Sequence, residues 1–106
     1  MMKKIYISTC TEHEFGWGSK NDGYAVSFDI NQLNDYIQTD GNYIGEYHEW
    51  SYEIPKTYFV EDNEIIKILE TFILERMNKF NILLVSSLKE LTNDICGQFK
   101  LYSEVD

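Results

Sequence analysis

The stretch KKIYISTCTEHEFGWGSKNDGYAVSFD, Lys3 to Asp29, decides how this chain folds. From Lys3 to Thr9, apolar Ile5 and Ile7 alternate with Tyr6 and Ser8, a period of two that gives a strand with unlike faces. Tyr24, Val26 and Phe28 repeat the pattern over Gly23 to Asp29, so a second strand is expected there. Between them, Cys10 to Asp22 holds Gly16, Gly18, Ser19, Asn21 and Asp22 and reads as a loop or wide hairpin connection. An N-terminal antiparallel hairpin follows.

Beyond the hairpin, Asp29 and Gln32 match a capping box, and Ile30, Leu33, Tyr36 and Ile37 recur at helical spacing until Gly41. From Tyr43 to Ile54 the spacing predicts a strand with Ile44, His48, Trp50, Tyr52 and Ile54 on one face and Tyr47, Glu49, Ser51 and Glu53 on the other. Pro55 interrupts it, and Thr57 to Val60 continues as a β-rich segment. The clearest helix is capped by Asp62 or Asn63, with a broad apolar stripe of Ile65, Ile66, Ile68, Leu69, Phe72, Ile73 and Met77. Asn81 to Val85 reads equally as a buried strand or as the start of another helix. Ser87-Leu88-Lys89-Glu90 is a second capping-box pattern, with Leu91 and Ile95 at helical spacing and Gly97 as the stop. Gln98 to Tyr102 reads as a last strand. The expected fold is α+β, a small, mostly antiparallel sheet of about four to six strands packed against two or three helices. With 106 residues, one domain spanning 1–106 shares one core.

A hydrophobic content of 43% with a single proline is enough to fold against a net charge of -9. That charge is uneven. Residues 5–66 carry twelve carboxylates against Lys20 and Lys56, whereas residues 67–106 carry six acids against five bases. Such acidity repels nucleic acid and anionic lipid and attracts a basic surface, so direct DNA or RNA binding is not expected. No apolar segment is long enough to span a bilayer. The start Met1-Met2-Lys3-Lys4 resembles a signal-peptide n-region, but Ile5-Tyr6-Ile7 gives way at once to polar Ser8 to Glu12. A cytoplasmic location with reduced thiols is the expectation.

Cys10, His13, His48 and Cys96 are the cysteines and histidines of the chain, and the two-residue gap from Cys10 to His13 would let both reach one zinc ion. No second close pair completes such a site, and a buried thiol beside a solvated histidine explains the same residues. Cys10 and His13 also pair as nucleophile and base, but acidic neighbours raise a thiol's pKa and oppose activation. The run Gly16 to Gly23 superficially resembles a phosphate loop, yet a strand rather than a helix is expected after it. A flexible hairpin turn is the better reading of the run, and an intermediate one presents Trp17, set between two glycines, as a contact residue. No catalytic residue, metal site or cofactor is assigned.

Gly41 to Phe59 adds Tyr43, Tyr47, Trp50, Tyr52, Tyr58 and Phe59 to Glu46, Glu49 and Glu53, with half of those rings needed for the core. Residues two apart on a strand are separated by about 6.6 Å, so Glu12 with Glu14, and more widely Glu49 with Glu53, can form carboxylate rows that imitate a phosphate backbone. The competing reading is a solvated sheet face, acidic for solubility. The candidate partner-binding set is Glu12, Glu14, Trp17, Asp22, Glu46, Tyr47, Glu49 and Glu53.

In size, acidity, lysine-led start and lack of cofactor motifs, the chain resembles the small anti-defence proteins of phages and mobile elements, such as anti-CRISPR and anti-restriction inhibitors. The resemblance implies an inhibitor module that occludes a basic nucleic-acid-binding surface of a nuclease or effector complex. The alternative with the same charge logic is a bacterial immunity or antitoxin protein that neutralises a basic nuclease toxin. A small enzyme or zinc domain using Cys10 and His13 ranks third. An exposed aromatic strand face suits a homodimer as well as a foreign partner.

Overall fold

β1 (Lys3–Glu14) is the spine of the protein, and β2 (Gly18–Ser27) returns antiparallel along its whole length. A computed structural model describes residues 2–75, 81–95, 97 and 99–103. Most of the segment expected to be a loop, Cys10 to Asp22, is therefore strand. Its turn residues act at only two points. Gly16 and Gly18, with φ of 87° and 108°, bracket a tight turn closed by the Trp17 N–H donating to the Glu14 carbonyl at 2.9 Å. Further along, Thr9 faces Tyr24 while Thr11 faces Asn21, so Asp22 and Gly23 together oppose Cys10 in a β-bulge. Gly23 has φ of 100°, and a Cβ there would lie 2.5 Å from the Val85 carbonyl oxygen. The arm beyond the bulge alternates polar with polar, and no helix among the described residues covers it, which hid the strand from an apolar-periodicity reading.

The other edge of β1 carries two strands in succession. To name them in order, β3 (Tyr43–Ile44) folds back on β4 (His48–Tyr52), and β5 (Lys56–Val60) follows Pro55. β4 pairs with Cys10 to Glu14 and β5 with Lys3 to Ile7. Between them, the Glu53 N–H donates to the Thr9 carbonyl at 2.9 Å and the Ser8 hydroxyl donates to the Glu53 carbonyl. The continuous strand expected from Tyr43 to Ile54 is broken at Gly45, whose N–H donates to the His48 carbonyl at 2.7 Å to close the β3–β4 hairpin. β6 (Leu83–Val85) pairs with β2, which makes the ambiguous run after Asn81 a strand. β7 (Tyr102–Ser103) pairs with β5, a shorter last strand than expected, and Gln98 lies outside the described residues. The path is β3-β4-β1-β2-β6, with β5 and β7 branching from β1, and every ladder is antiparallel.

α1 (Ile30–Tyr36) runs into a π-helical turn, Ile37–Gly41. Asp29 caps it, its Oδ1 accepting from the Asn31 and Gln32 N–H groups at 2.9 and 3.2 Å. The reciprocal half of a capping box is not made by Gln32, because the Ser27 hydroxyl accepts the Asp29 N–H at 3.0 Å. Leu33, Tyr36 and Ile37 pack on the sheet face of Tyr6, Ala25 and Tyr52. α2 (Asn63–Glu75) covers the opposite face, and its cap is Asp62 rather than Asn63, with Oδ1 accepting from the Glu64 and Ile65 N–H groups. Ile65, Ile66, Leu69 and Ile73 bury against Ile5, Ile7, Val26, Val60, Leu83 and Val85. Full burial of a side chain such as Leu69 contributes about 2 kcal/mol. Ile68, expected in the stripe, is exposed, and Met77 lies outside the described residues.

Lys3 Nζ donates to Glu70 Oε1 at 2.8 Å and ties the start of β1 to α2. The last helical segment, Glu90–Ile95, is π-helical and buries Leu91 beside α2. Ser87 Oγ accepts the Glu90 N–H at 3.1 Å, while the Glu90 carboxylate accepts from the Ser86 N–H, one residue earlier than a capping box would place it. Among the described residues no helix is long and apolar enough to cross a membrane.

Candidate functional site

The sheet outruns its helices. Twelve strand residues span about 40 Å, most of the 46 Å length of the molecule. The free end carries two turns side by side, since the Phe15 N–H donates to the Tyr47 carbonyl at 2.9 Å and so joins the β1–β2 turn to the β3–β4 turn. Trp17 on the first is 85% exposed and Tyr47 on the second 65%. Glu14 and Glu46 are exposed beside them. Four of the residues singled out from the sequence, Glu14, Trp17, Glu46 and Tyr47, are thus brought to one end.

The other four separate. Alternation along β1 sends Cys10, Glu12 and Glu14 to the α1 face, opposite Tyr52, Trp50 and His48 of β4. Glu12 is only 13% exposed on its side chain, with Oε1 2.9 Å from His48 Nδ1 and Oε2 3.7 Å from Lys20 Nζ, so its charge is held within the protein. The approach of His48 Nδ1 to Glu12 is a close contact without a hydrogen bond. Asp22 joins this face by accepting the Trp50 indole N–H at 3.1 Å. Trp50 in turn stacks on His48 and leans on Tyr43, with ring centroids 5.4 and 5.5 Å apart. Glu49 faces the other way, in register with His13. Glu53 is exposed beyond the end of β4. The two carboxylate rows do not share a surface.

Three apart on a regular strand, Cys10 and His13 point to opposite faces, so they cannot ligate one ion or act as nucleophile and base together. His13 Nδ1 lies 2.7 Å from Ser19 Oγ, and burial pushes the Cys10 thiol up despite its hydrogen bond with Tyr52. Among the described residues no group of three or more histidine, cysteine or acidic side chains could hold a metal, and Cys96 lies outside them. The glycine run leads into a strand, so no helix N-terminus is offered to a phosphate.

Comparison with protein-family models, with curated proteins and with solved structures yields no match. The α+β fold and the geometry of the free end therefore carry the functional reading. Two contributors to that end were not singled out from the sequence. Ile44, 72% exposed, and Phe15 flank the two turns. Gly45-Glu46 was the signal for the first, as a turn pair inside a β-rich run.

Proposed function

We propose that this protein is a binding module whose acidic, aromatic free end docks on a basic surface of a nucleic-acid-handling protein and occludes it, as an inhibitor of the phage anti-defence kind would. The observation that carries the reading is the meeting of exposed Trp17 and Tyr47 with Glu14 and Glu46 on two hydrogen-bonded turns that no helix among the described residues covers. Tryptophan and tyrosine at the centre of an interface commonly cost about 2 kcal/mol or more when truncated. Surrounding carboxylates steer a basic partner and set its register more than they add affinity. Residues 11–22 and 43–53 hold six carboxylates against Lys20 alone, which favours such steering over contact with nucleic acid itself.

The test is affinity capture from the native host with the intact protein and with Trp17→Ala, followed by affinity measurements on the captured partner across a salt series. The expected partner handles nucleic acid, loses most of its affinity between low and physiological salt, and is weakened further by Glu14→Lys or Glu46→Lys. A complex indifferent to salt, or one unchanged by Trp17→Ala, overturns the reading.

A further inference from the structure

Where the free end meets the body of the domain, the sheet holds a cavity of about 400 Å³. Its walls include Tyr24, Tyr43, Trp50 and Tyr52, and among the described residues the one charged side chain lining it is the carboxylate of Asp22. The rings come from three strands, β2, β3 and β4, and are held in place. Tyr52 packs edge-on against Tyr36 at 5.4 Å, their hydroxyls 3.3 Å apart, and the backbone of buried Gly41 presses on it so closely that a Cβ would lie 3.0 Å from either ring. Trp50 is braced between His48 and Tyr43 and donates to Asp22, which fixes the carboxylate in turn.

Aromatic faces carry negative electrostatic potential and attract a cation within about 6 Å of the ring centroid. A carboxylate beside them adds an ion pair and hydrogen-bond acceptors. A neutral apolar guest would partly desolvate the Asp22 carboxylate and leave its charge uncompensated, with the Trp50 N–H as a neutral donor to it, which disfavours such a guest. Catalysis is a poor alternative, because the thiol in the wall, Cys10, is buried and holds its proton above the ordinary thiol range, and the Ser86 hydroxyl beside it is already engaged, donating to the Glu90 carboxylate at 2.7 Å. Among cations, a guanidinium fits better than an ammonium. It is planar, stacks on indole and phenol faces, and is weakly hydrated, whereas an ammonium in an open cleft keeps its water.

We infer that this cavity, walled by Trp50, Tyr43, Tyr52 and Asp22, binds a guanidinium group, and that the group is an arginine side chain of a basic protein partner. The source of the arginine rests on the docking reading above; the affinity for guanidinium rests on the cavity alone. An arginine seated here would anchor the partner at the root of the free end while Trp17 and Tyr47 meet its surface.

The experiment places Trp17→Phe in the chain so that indole emission reports Trp50 alone. The protein is titrated at constant ionic strength with acetyl-Gly-Arg-Gly-amide, with the same peptide carrying neutral citrulline, and with N-ethylguanidinium. A saturable change with the arginine peptide and none with the citrulline peptide is expected. Asp22→Asn should weaken the arginine peptide by about tenfold, the scale of a charge-assisted hydrogen bond. Tyr43→Leu, which leaves the carboxylate in place, should weaken it as well. No saturable change, an equal response to citrulline, or indifference to both substitutions overturns the site. N-ethylguanidinium binding as tightly as the peptide overturns the protein-borne source. The outcome does not depend on any captured partner. Peptide binding without a basic partner removes the docking reading only, and partner binding without peptide binding removes the arginine site only.

Discussion

Trp50 on β4 and Asp22 on β2 are joined across the intervening β1, the indole N–H donating to Asp22 Oδ2 at 3.1 Å. The bond passes over Glu12, which stands opposite Trp50 in the ladder. It braces the three strands on the face that α1 leaves open. Asp22→Ala should therefore destabilise the protein by about 1 kcal/mol, the usual net worth of such a bond at an exposed site. Asp22→Asn keeps an acceptor oxygen and should lose less. Chemical denaturation of both variants, read by circular dichroism, checks the order. Equal losses would show that the charge, not the acceptor, matters.

Gly23 and Gly16 make a matched pair for testing the bulge. Both have positive φ, 100° and 87°, so each suffers conformational strain of about 1 kcal/mol on gaining a side chain. Only Gly23 has a neighbour in the way, the Val85 carbonyl oxygen at 2.5 Å from a built Cβ, whereas nothing lies within 4 Å at Gly16. Gly23→Ala must also push β6 from β2. Its melting temperature should fall well below that of Gly16→Ala. Comparable melting temperatures would mean that β6 yields without cost.

The hairpin, α1, α2 and the α+β class are legible in the sequence because Ile5, Ile7, Val26, Leu33 and Leu69 are buried at the strand or helix period. The outer hairpin arm is not. Thr11, Glu12 and His13 alternate between two polar environments, so hydropathy carries no period there. Gly45 was a visible turn residue, but the alternating rings on both sides of it masked the break. The free end itself was half legible. Trp17 between glycines and Glu46-Tyr47 could be picked out, but their meeting depends on a backbone hydrogen bond from Phe15 to Tyr47 between turns far apart in sequence. The fate of Glu12 was hidden for the same reason, since pairing it with His48 requires the register of β1 on β4.

Asp62 caps α2 through two backbone N–H groups, those of Glu64 and Ile65, at 2.9 and 3.3 Å. α2 supplies much of one core layer, so loss of its cap is felt by the whole fold. Asp62→Ala should cost about 1 kcal/mol and Asp62→Asn only a fraction of that. Asn63→Ala, at the first helical position, should be nearly silent. Denaturant midpoints for the three variants check this, and a larger loss at Asn63 than at Asp62 would reverse the assignment of the cap.

Tyr52 and Cys10 predict how stability responds to alkali. Burial pushes both groups above their ordinary ranges, and for Tyr52 the hydrogen bond to Tyr36 raises it further. In the unfolded chain a thiol ionises near pH 8.5 and a phenol near about 10, while in the folded protein both hold their protons longer. The folded state therefore binds more protons over that window, and stability falls as pH rises through it. Below about pH 7 both groups are protonated in either state and contribute no slope. Tyr52→Phe removes the phenol while keeping the ring against Tyr36 and Gly41. Its stability at neutral pH should drop by about 1 kcal/mol for the lost hydrogen bond. Its decline in alkali should then be shallower than that of the parent, so the two denaturation curves converge as pH rises. Parallel declines would show that the Tyr52 proton is not linked to folding.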